Sequence, residues 1–287
     1  LIVEKLIPFV TPMRLGIILE KISTKVNESI KEIRGPRLGA PENAIEGFLK
    51  KNKIERSELQ EKKTNKGDFY FYTVKVKTQS LSKILSRIFT EIIQEFNWPK
   101  SMYWGDNYSL RWVRPLRSII AVLFQNEARE RVPLIVRDIE SDMFTRAHQV
   151  MHPEFFEFDS VNDYREKMLK GKVILQPQDR KKRVMQEGKK QAEARGFYLV
   201  EDDKLLDEIA GLTEFPIPIL GEIPKELLLI PEEVIITAMR EHQKFISLRS
   251  SESGKVEGFL VIADIQTYDK QKTILTGNMR VLNSRLK

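Results

Sequence analysis

Apolar residues recur along this chain with two periods, and the period changes at glycines and prolines. From Ser80 to Phe96, residues Leu81, Ile84, Leu85, Ile88, Phe89, Ile92, Ile93 and Phe96 fall three and four apart, the spacing of one face of an α-helix. Trp98-Pro99 stops the pattern, and the stripe is expected to be core. Before it, Phe69 to Lys77 reads as a strand, with Tyr70, Tyr72, Val74 and Val76 on one face and Lys75 and Lys77 on the other. The charged stretch from Glu58 to Asn65-Lys66-Gly67 reads as the turn leading into that strand. A helix led by Pro41 carries Ile45, Phe48 and Leu49, after a Gly35-Pro36-Arg37-Leu38-Gly39 loop.

Further along, Pro115 predicts the first turn of a helix that buries Leu116, Ile119, Ile120 and Leu123. Ser160 and Asp163 form a capping pair for a helix running to Leu169 with Gly171 as its stop, and Lys172 to Leu175 reads as a short strand. A basic helix closing at Gly196 follows. Lys204 to Thr213 is another helix, with Leu206, Ile209 and Leu212 expected in the core, and Phe215-Pro216-Ile217-Pro218 terminates it. Pro231 to Lys244 is a third, which places His242 on the face of Val234, Ile235, Ala238 and Met239 as a half-buried structural histidine. Lys244 to Leu248 and Val256 to Ile262 predict a hairpin, and Lys272 to Leu286 returns to helix. The class is α+β, mixed helices and strands without an internal repeat. The expected division is a 1–98 amino-terminal α/β region and a 99–287 mixed α/β region, or one continuous module.

Composition narrows the function. With 41% hydrophobic and 31% charged residues among 287, the chain is globular in character. Its longest apolar run, Ile119 to Phe124, is far short of the ~18 residues of a membrane-spanning helix. No signal-peptide pattern opens it. The absence of cysteine removes disulfides, thiol catalysis and cysteine-bound zinc, and is compatible with a reducing cytoplasm. His148, His152 and His242 stand in no metal-ligand spacing. Neither a Rossmann nor a P-loop glycine pattern occurs, nor a GxSxG nucleophile elbow. No catalytic residue, metal site or cofactor is therefore assigned to this chain.

Charge is unevenly placed. The net charge is +7, yet Asp179 to Arg195 carries seven basic and three acidic residues while Glu201 to Glu233 carries ten acidic and two basic. Arg180, Lys181, Lys182, Arg183, Lys189 and Lys190 are candidates for tracking the phosphates of a nucleic acid; the alternative is a solvated helix face. Between Trp104 and Arg117, two tryptophans and Tyr108 are interleaved with Arg111, Arg114 and Arg117, a mixture that can stack on bases and pair with phosphates, or else anchor a core. Thr145-Arg146-Ala147-His148 is a polar loop, and Arg146 joins the candidate RNA-binding residues.

These same stretches carry a resemblance. The ordered series Arg111-Trp-Val-Arg-Pro-Leu-Arg117, Thr145-Arg-Ala-His148, Leu206-Asp-Glu-Ile-Ala-Gly-Leu-Thr-Glu-Phe-Pro216, Ile230-Pro-Glu-Glu-Val234, Met239-Arg-Glu-His-Gln-Lys-Phe245 and Gly277-Asn-Met-Arg-Val-Leu-Asn-Ser-Arg-Leu286 resembles the β subunit of the bacterial two-subunit glycyl-tRNA synthetase. Thr11-Pro12-Met13-Arg14-Leu15 and Arg37-Leu38-Gly39 are similar to its earlier landmarks. The chain departs from the family at Met13 and Gln149, where arginine is usual, and at Ala147, where glycine is usual. Its segment before Thr11 reads as contracted or absent.

The resemblance implies a fold similar to the B3/B4 module of the phenylalanyl-tRNA synthetase β subunit. It also implies a cytoplasmic heterotetramer of two α and two β subunits acting on tRNA(Gly). ATP and Mg are then used by the α subunit, and this chain alone is inactive. The chain is expected to be the amino-terminal portion, with the family's HD-type and anticodon-binding domains outside it. Two other classes stay open: a free-standing RNA-binding module, and a hydrolytic editing domain with Arg146, His148 and His242 lining a pocket.

Overall fold

A computed structural model describes residues 2–22, 30–64, 67–75, 80–104, 110–125 and 128–286. Asn65, Lys66, Val76, Lys77 and Tyr108, each part of a predicted feature, lie outside the described residues. The fold is mixed α+β, and the chain forms two compact units. The first comprises Leu1–Glu4, Lys21–Pro115 and Val132–Asp138; the second comprises Lys5–Glu20, Leu116–Arg131 and Ile139–Lys287. Among the described residues no helix is long and apolar enough to cross a membrane.

The first unit is built on a three-stranded antiparallel sheet with Gly67–Lys75 between Ile30–Arg37 and Leu59–Thr64. The Leu59–Thr64 strand corrects the predicted turn. Its charges are those of an edge strand, which carries Glu61, Lys62 and Lys63 without burying them. The Gly35–Arg37 segment, expected as loop, continues the first strand across a register shift between Arg34 and Arg37. Pro41 precedes the Glu42–Asn52 helix, which buries Ile45 as expected. The Leu81–Glu95 helix is capped by the Ser80 side chain accepting from the Lys83 N–H. Its stripe is only partly core: Leu85 is buried, whereas Ile92 and Phe96 are exposed. Phe96 instead joins Trp98 and Trp112 in an aromatic cluster, with ring centroids 4.5 Å (Phe96–Trp98) and 4.9 Å (Trp98–Trp112) apart.

The second unit centres on a four-stranded antiparallel sheet ordered Phe197–Leu199, Ile246–Ser250, Val256–Ala263, Ile217–Glu222. Alternation along Val256–Ala263 divides its side chains between two cores. Leu260 joins Leu248, Leu220 and Leu199 against Val184, Leu205, Leu206 and Ile209, from the Pro177–Glu193 and Asp203–Leu212 helices. Phe259 and Val261 turn the other way, against Ile235, Met239 and Leu282 from the Glu232–Thr237 helix, the π-turn after it and the Lys272–Leu286 helix. A strand buried on both faces reads as a near-continuous apolar run, as Val256-Glu-Gly-Phe-Leu-Val-Ile-Ala263 does. Gly188 lets the basic helix approach this sheet, since a Cβ there would lie 2.8 Å from Leu260 Cδ1.

Several expectations are corrected in this unit. The helix predicted after Pro115 is two strands, Ile119–Ile120 and Val122–Gln125. Ile119 and Leu123, both buried, stand four apart, a spacing that both periods allow, and the β-branched run settles it as strand through pairing with Ile139–Asp142 and Ala128–Arg131. The strand predicted over Lys172 to Leu175 does not form: Lys172 is a turn residue with φ 61°, and Val173 to Leu175 lie outside any strand, with Val173 and Leu175 buried. Pro216-Ile217-Pro218 ends a helix as predicted and then enters the Ile217–Glu222 edge strand, the position where a sheet tolerates proline. His242 is exposed rather than half-buried, because Ala238–Gln243 closes i→i+5 hydrogen bonds and turns His242 away from the buried Met239. Leu212 is 58% exposed at the end of its helix, not core.

A hairpin of Val3–Thr11 and Arg14–Ile22 escaped prediction because its outward residues Leu6, Val10, Leu15 and Ile17 are as apolar as its inward Phe9 and Ile18. The remaining helices, Val161–Lys170 with Ser160 accepting from the Asp163 N–H and Gly171 at its end, and Lys272–Leu286, match the pattern.

Leu206 is buried in the first core and Leu212 faces solvent, so Leu206→Ala should cost about 2–5 kcal/mol. Leu212→Ala should stay within about 0.5 kcal/mol. Urea unfolding of both variants checks the assignment, and similar losses would contradict it.

Candidate functional site

Polar residues of three landmark segments, those of Thr11 and Arg14, of Arg146 to His148 and of Glu214, meet in one network of the second unit. Glu214, 2% exposed, forms an ion pair with Arg14 and accepts a hydrogen bond of 2.6 Å from the Thr11 hydroxyl. The Pro12-Met13 turn between the first two strands puts Thr11 and Arg14 beside each other. Arg14 also donates to the carbonyls of Arg146, at 2.8 Å, and Ala147. Asp264, at the end of the Val256–Ala263 strand, accepts from the backbone N–H groups of Glu214 at 2.6 Å and Phe215 at 2.8 Å through one oxygen. Its other oxygen lies 3.5 Å from His148 Nε2.

His148 is buried, and its Nδ1 accepts from the N–H groups of Val150 and Met151, both at 3.2 Å. With Nδ1 used as an acceptor, the donor nitrogen of the ring is Nε2, which faces Asp264. Gly171 packs so closely on the buried Ala147 that a Cβ would come within 2.1 Å of the Ala147 methyl, and its carbonyl accepts from the His148 N–H. Beside the network, burial pushes the Tyr164 phenol up to about 12. The departures at Met13 and Gln149 fall on exposed side chains.

Arg180, grouped by sequence with a phosphate-tracking face, is fully buried instead. Its guanidinium donates to the carbonyls of Ala210 at 2.7 Å, Val10 at 2.7 Å, Leu175 at 3.0 Å and Ile174. Burial pulls its pKa down while Glu214 and Asp264 hold it up. The helix periodicity that turns Val184 and Gly188 inward also turns Arg180 inward, a consequence hidden by its strongly polar side chain.

The rest of the basic helix is partly compensated. Lys181 pairs with Asp207 at 2.7 Å and Lys189 with Glu201 at 2.8 Å. Lys182 stands 3.9 Å from Asp179. Arg183 donates to the Pro216 carbonyl and stacks 4.2 Å over the Phe215 ring. The side chains of Lys182 and Lys190 face solvent. The acidic stretch after this helix thus folds back as its counter-charge.

The remaining candidates are dispersed. Arg111 and Arg114 belong to the first unit and Arg117 to the second; all three are exposed, and Arg111 donates to the Ser101 hydroxyl at 2.6 Å. Trp112 is buried, its carbonyl accepting from Trp104 Nε1 at 2.9 Å, so these rings serve as anchors. Arg146 stacks 5.3 Å over the exposed Phe155. Two shallow clefts of about 240 Å³ and about 230 Å³ lie in the second unit, one bordered by Ala147, His152 and Lys170 and the other by Leu212, Gln243 and Asn278. Neither is lined by His148 or His242. Among the described residues no group of three His, Cys, Asp or Glu is placed to hold a metal ion. Sequence reasoning missed Asp264 and the burial of Glu214. Asp264 belongs to no landmark, and the only sign for Glu214 was an acidic residue enclosed by apolar ones.

Three landmark segments thus converge on one internal network, while Arg111, Arg114, Arg117, Lys182 and Lys190 stay exposed. A family model described as glycyl-tRNA synthetase beta subunit matches residues 1–287. The chain is 40% identical over 278 residues to the glycine–tRNA ligase beta subunit of Paracoccus denitrificans, covering 97% of this chain and 40% of the relative. It is 37% identical over 288 residues to that of Phenylobacterium zucineum, covering 100% and 42%. For the Rickettsia bellii protein it is 35% identical over 255 residues, covering 89% and 38%. The chain belongs to the glycyl-tRNA synthetase beta subunit family, and it spans about 40% of the length of these relatives.

Removing the Arg180 guanidinium would leave four carbonyls without their donor. Arg180→Met should therefore destabilise the second unit by about 3–5 kcal/mol, read by urea unfolding. An effect under about 1 kcal/mol would contradict the geometry.

A pH dependence follows from Asp202. The Arg240 guanidinium, at 2.6 Å, and the Leu205 N–H hold its carboxyl below the usual aspartate range. The unfolded chain then binds this proton more tightly. The associated stability is present above the ordinary aspartate pKa and is lost as pH falls through the lowered folded value. Asp202→Asn should lose less stability than the parent between about pH 6 and about pH 3. Equal losses would refute the assignment.

Proposed function

We propose that this chain is the portion of a two-subunit glycyl-tRNA synthetase that holds the assembly together and presents surfaces to tRNA(Gly). Glycine activation, with ATP and Mg, belongs to the α subunit of a cytoplasmic heterotetramer of two α and two β subunits. The family match over residues 1–287 carries this reading. It is supported by how the landmark side chains are used: Thr11, Arg14, His148 and Glu214 spend their hydrogen bonds on one another and on backbone, as a scaffold requires. The fold of this portion is proposed to be that of the B3/B4 module of the phenylalanyl-tRNA synthetase β subunit. Exposed Arg111, Arg114, Arg117, Lys182 and Lys190 are the cations left to meet RNA phosphates. An editing pocket is less well supported, because both ring nitrogens of His148 face internal partners.

Two measurements test this. Glycine-dependent pyrophosphate exchange should appear only when the α subunit is added to the purified chain, and exchange by the chain alone would overturn the division of labour. In the assembled enzyme, Lys182→Gln together with Lys190→Gln should lower the slope of log tRNA affinity against log salt by roughly 0.7–0.9 for each phosphate that is no longer neutralised. An unchanged slope and affinity would make the helix a solvated face.

A further inference from the structure

The three-stranded sheet of the first unit has two unlike faces. On one, the Glu42–Asn52 helix packs, with the Phe48 ring against the backbone of Gly35: a Cβ built there would lie 3.1 Å from the ring. On the other, Phe69 and Phe71 stand two apart on the central strand and so point the same way. Arg37 and Lys62 are opposite Phe69; Arg34 and Gln60 are opposite Phe71. The Arg34 guanidinium lies 3.5 Å from the centre of the Phe69 ring and covers it, so that Phe69 is buried while Arg34 itself is exposed. Arg37 is 5.4 Å from the same ring, and the Lys62 ammonium is 5.8 Å from the Phe71 ring. Lys62 also forms an exposed ion pair with Glu32.

Such a surface has a specific chemistry. A guanidinium supported by an aromatic ring offers its outer plane to a further π-system, and unpaired nucleobases stack on arginine planes and aromatic rings alike. The flanking cations suit the phosphates between successive bases. A base-paired helix keeps its bases stacked on each other and has no free face to offer. We infer that this sheet face binds a single-stranded segment of RNA, one base stacking on the outer plane of Arg34. The next base settles on Phe71 as Lys62 leaves Glu32 for a phosphate. The inference rests on the reading of the protein as a tRNA-binding subunit, and it adds a surface that includes none of Arg111, Arg114, Arg117 or the basic helix.

The experiment measures binding of a labelled oligouridylate of about ten nucleotides, a duplex RNA of the same length, and tRNA(Gly), to the 287-residue chain and its variants. Oligouridylate should bind more tightly than the duplex. Arg34→Lys keeps the charge and loses the plane, so it should weaken oligouridylate binding at least about fivefold with little change in salt slope. Lys62→Gln should lower that slope by about 0.7. Equal binding of oligouridylate by the parent and Arg34→Lys, no binding by the parent, or preference for the duplex would each overturn the inference. If tRNA(Gly) then still bound, the broader reading would stand without this face. Oligouridylate binding that depends on Arg34 without any tRNA binding would support the face and overturn the broader reading.

Discussion

A carboxylate withdrawn from water must meet cations and hydrogen-bond donors, and Glu214 imposes that requirement on the second unit. It is satisfied by Thr11 and Arg14, which sit about two hundred positions earlier in the chain. Arg14 in turn fastens the Arg146–Ala147 backbone, and Asp264 holds the Glu214 and Phe215 amides while its other oxygen faces His148. Arg180 ties the 174–175, 210 and 10 carbonyls together. The guanidinium groups of Arg14 and Arg180 thus balance the buried Glu214 and the half-buried Asp264. Buried ion pairs contribute little net stability compared with a well-packed apolar alternative, yet removing one member is costly. The network therefore selects one arrangement of these segments more than it adds stability.

The apolar layers are consistent with that selection. The Val256–Ala263 strand delivers Asp264 to the network and separates two cores, with Leu260 on one side and Phe259 and Val261 on the other. Its position is set by packing on both faces, so the carboxylate at its end is placed by rigid backbone. Gly188 and Gly171 serve the same end by allowing close approach to Leu260 and Ala147.

Electrostatics outside the core follows a different logic. The basic helix and the acidic stretch after it carry opposite local charge, and much of that charge is used internally, as in Lys181–Asp207 and Lys189–Glu201. The cations that remain outward are fewer than the composition of the helix suggests. In the first unit cations gather over aromatic rings instead: Arg34, Arg37 and Lys62 share one sheet face with Phe69 and Phe71.

Local pattern by itself determined several long helices: Ser160 as a cap, Pro41 at a helix start, and the Leu206 face of the Asp203–Leu212 helix. It determined the landmark residues too, because their order and identity can be read without knowing what they touch. Tertiary structure alone decided whether Ile119 to Leu123 is strand or helix, since residues four apart suit both periods and only pairing partners choose between them. It alone decided that Arg180 is interior while Lys182 is not, because a cation is buried only where carbonyls and carboxylates from distant segments converge on it. The role of Asp264 was illegible for the same reason: nothing near it in sequence marks it, and its partners, His148, Glu214 and Phe215, arrive only when the chain folds.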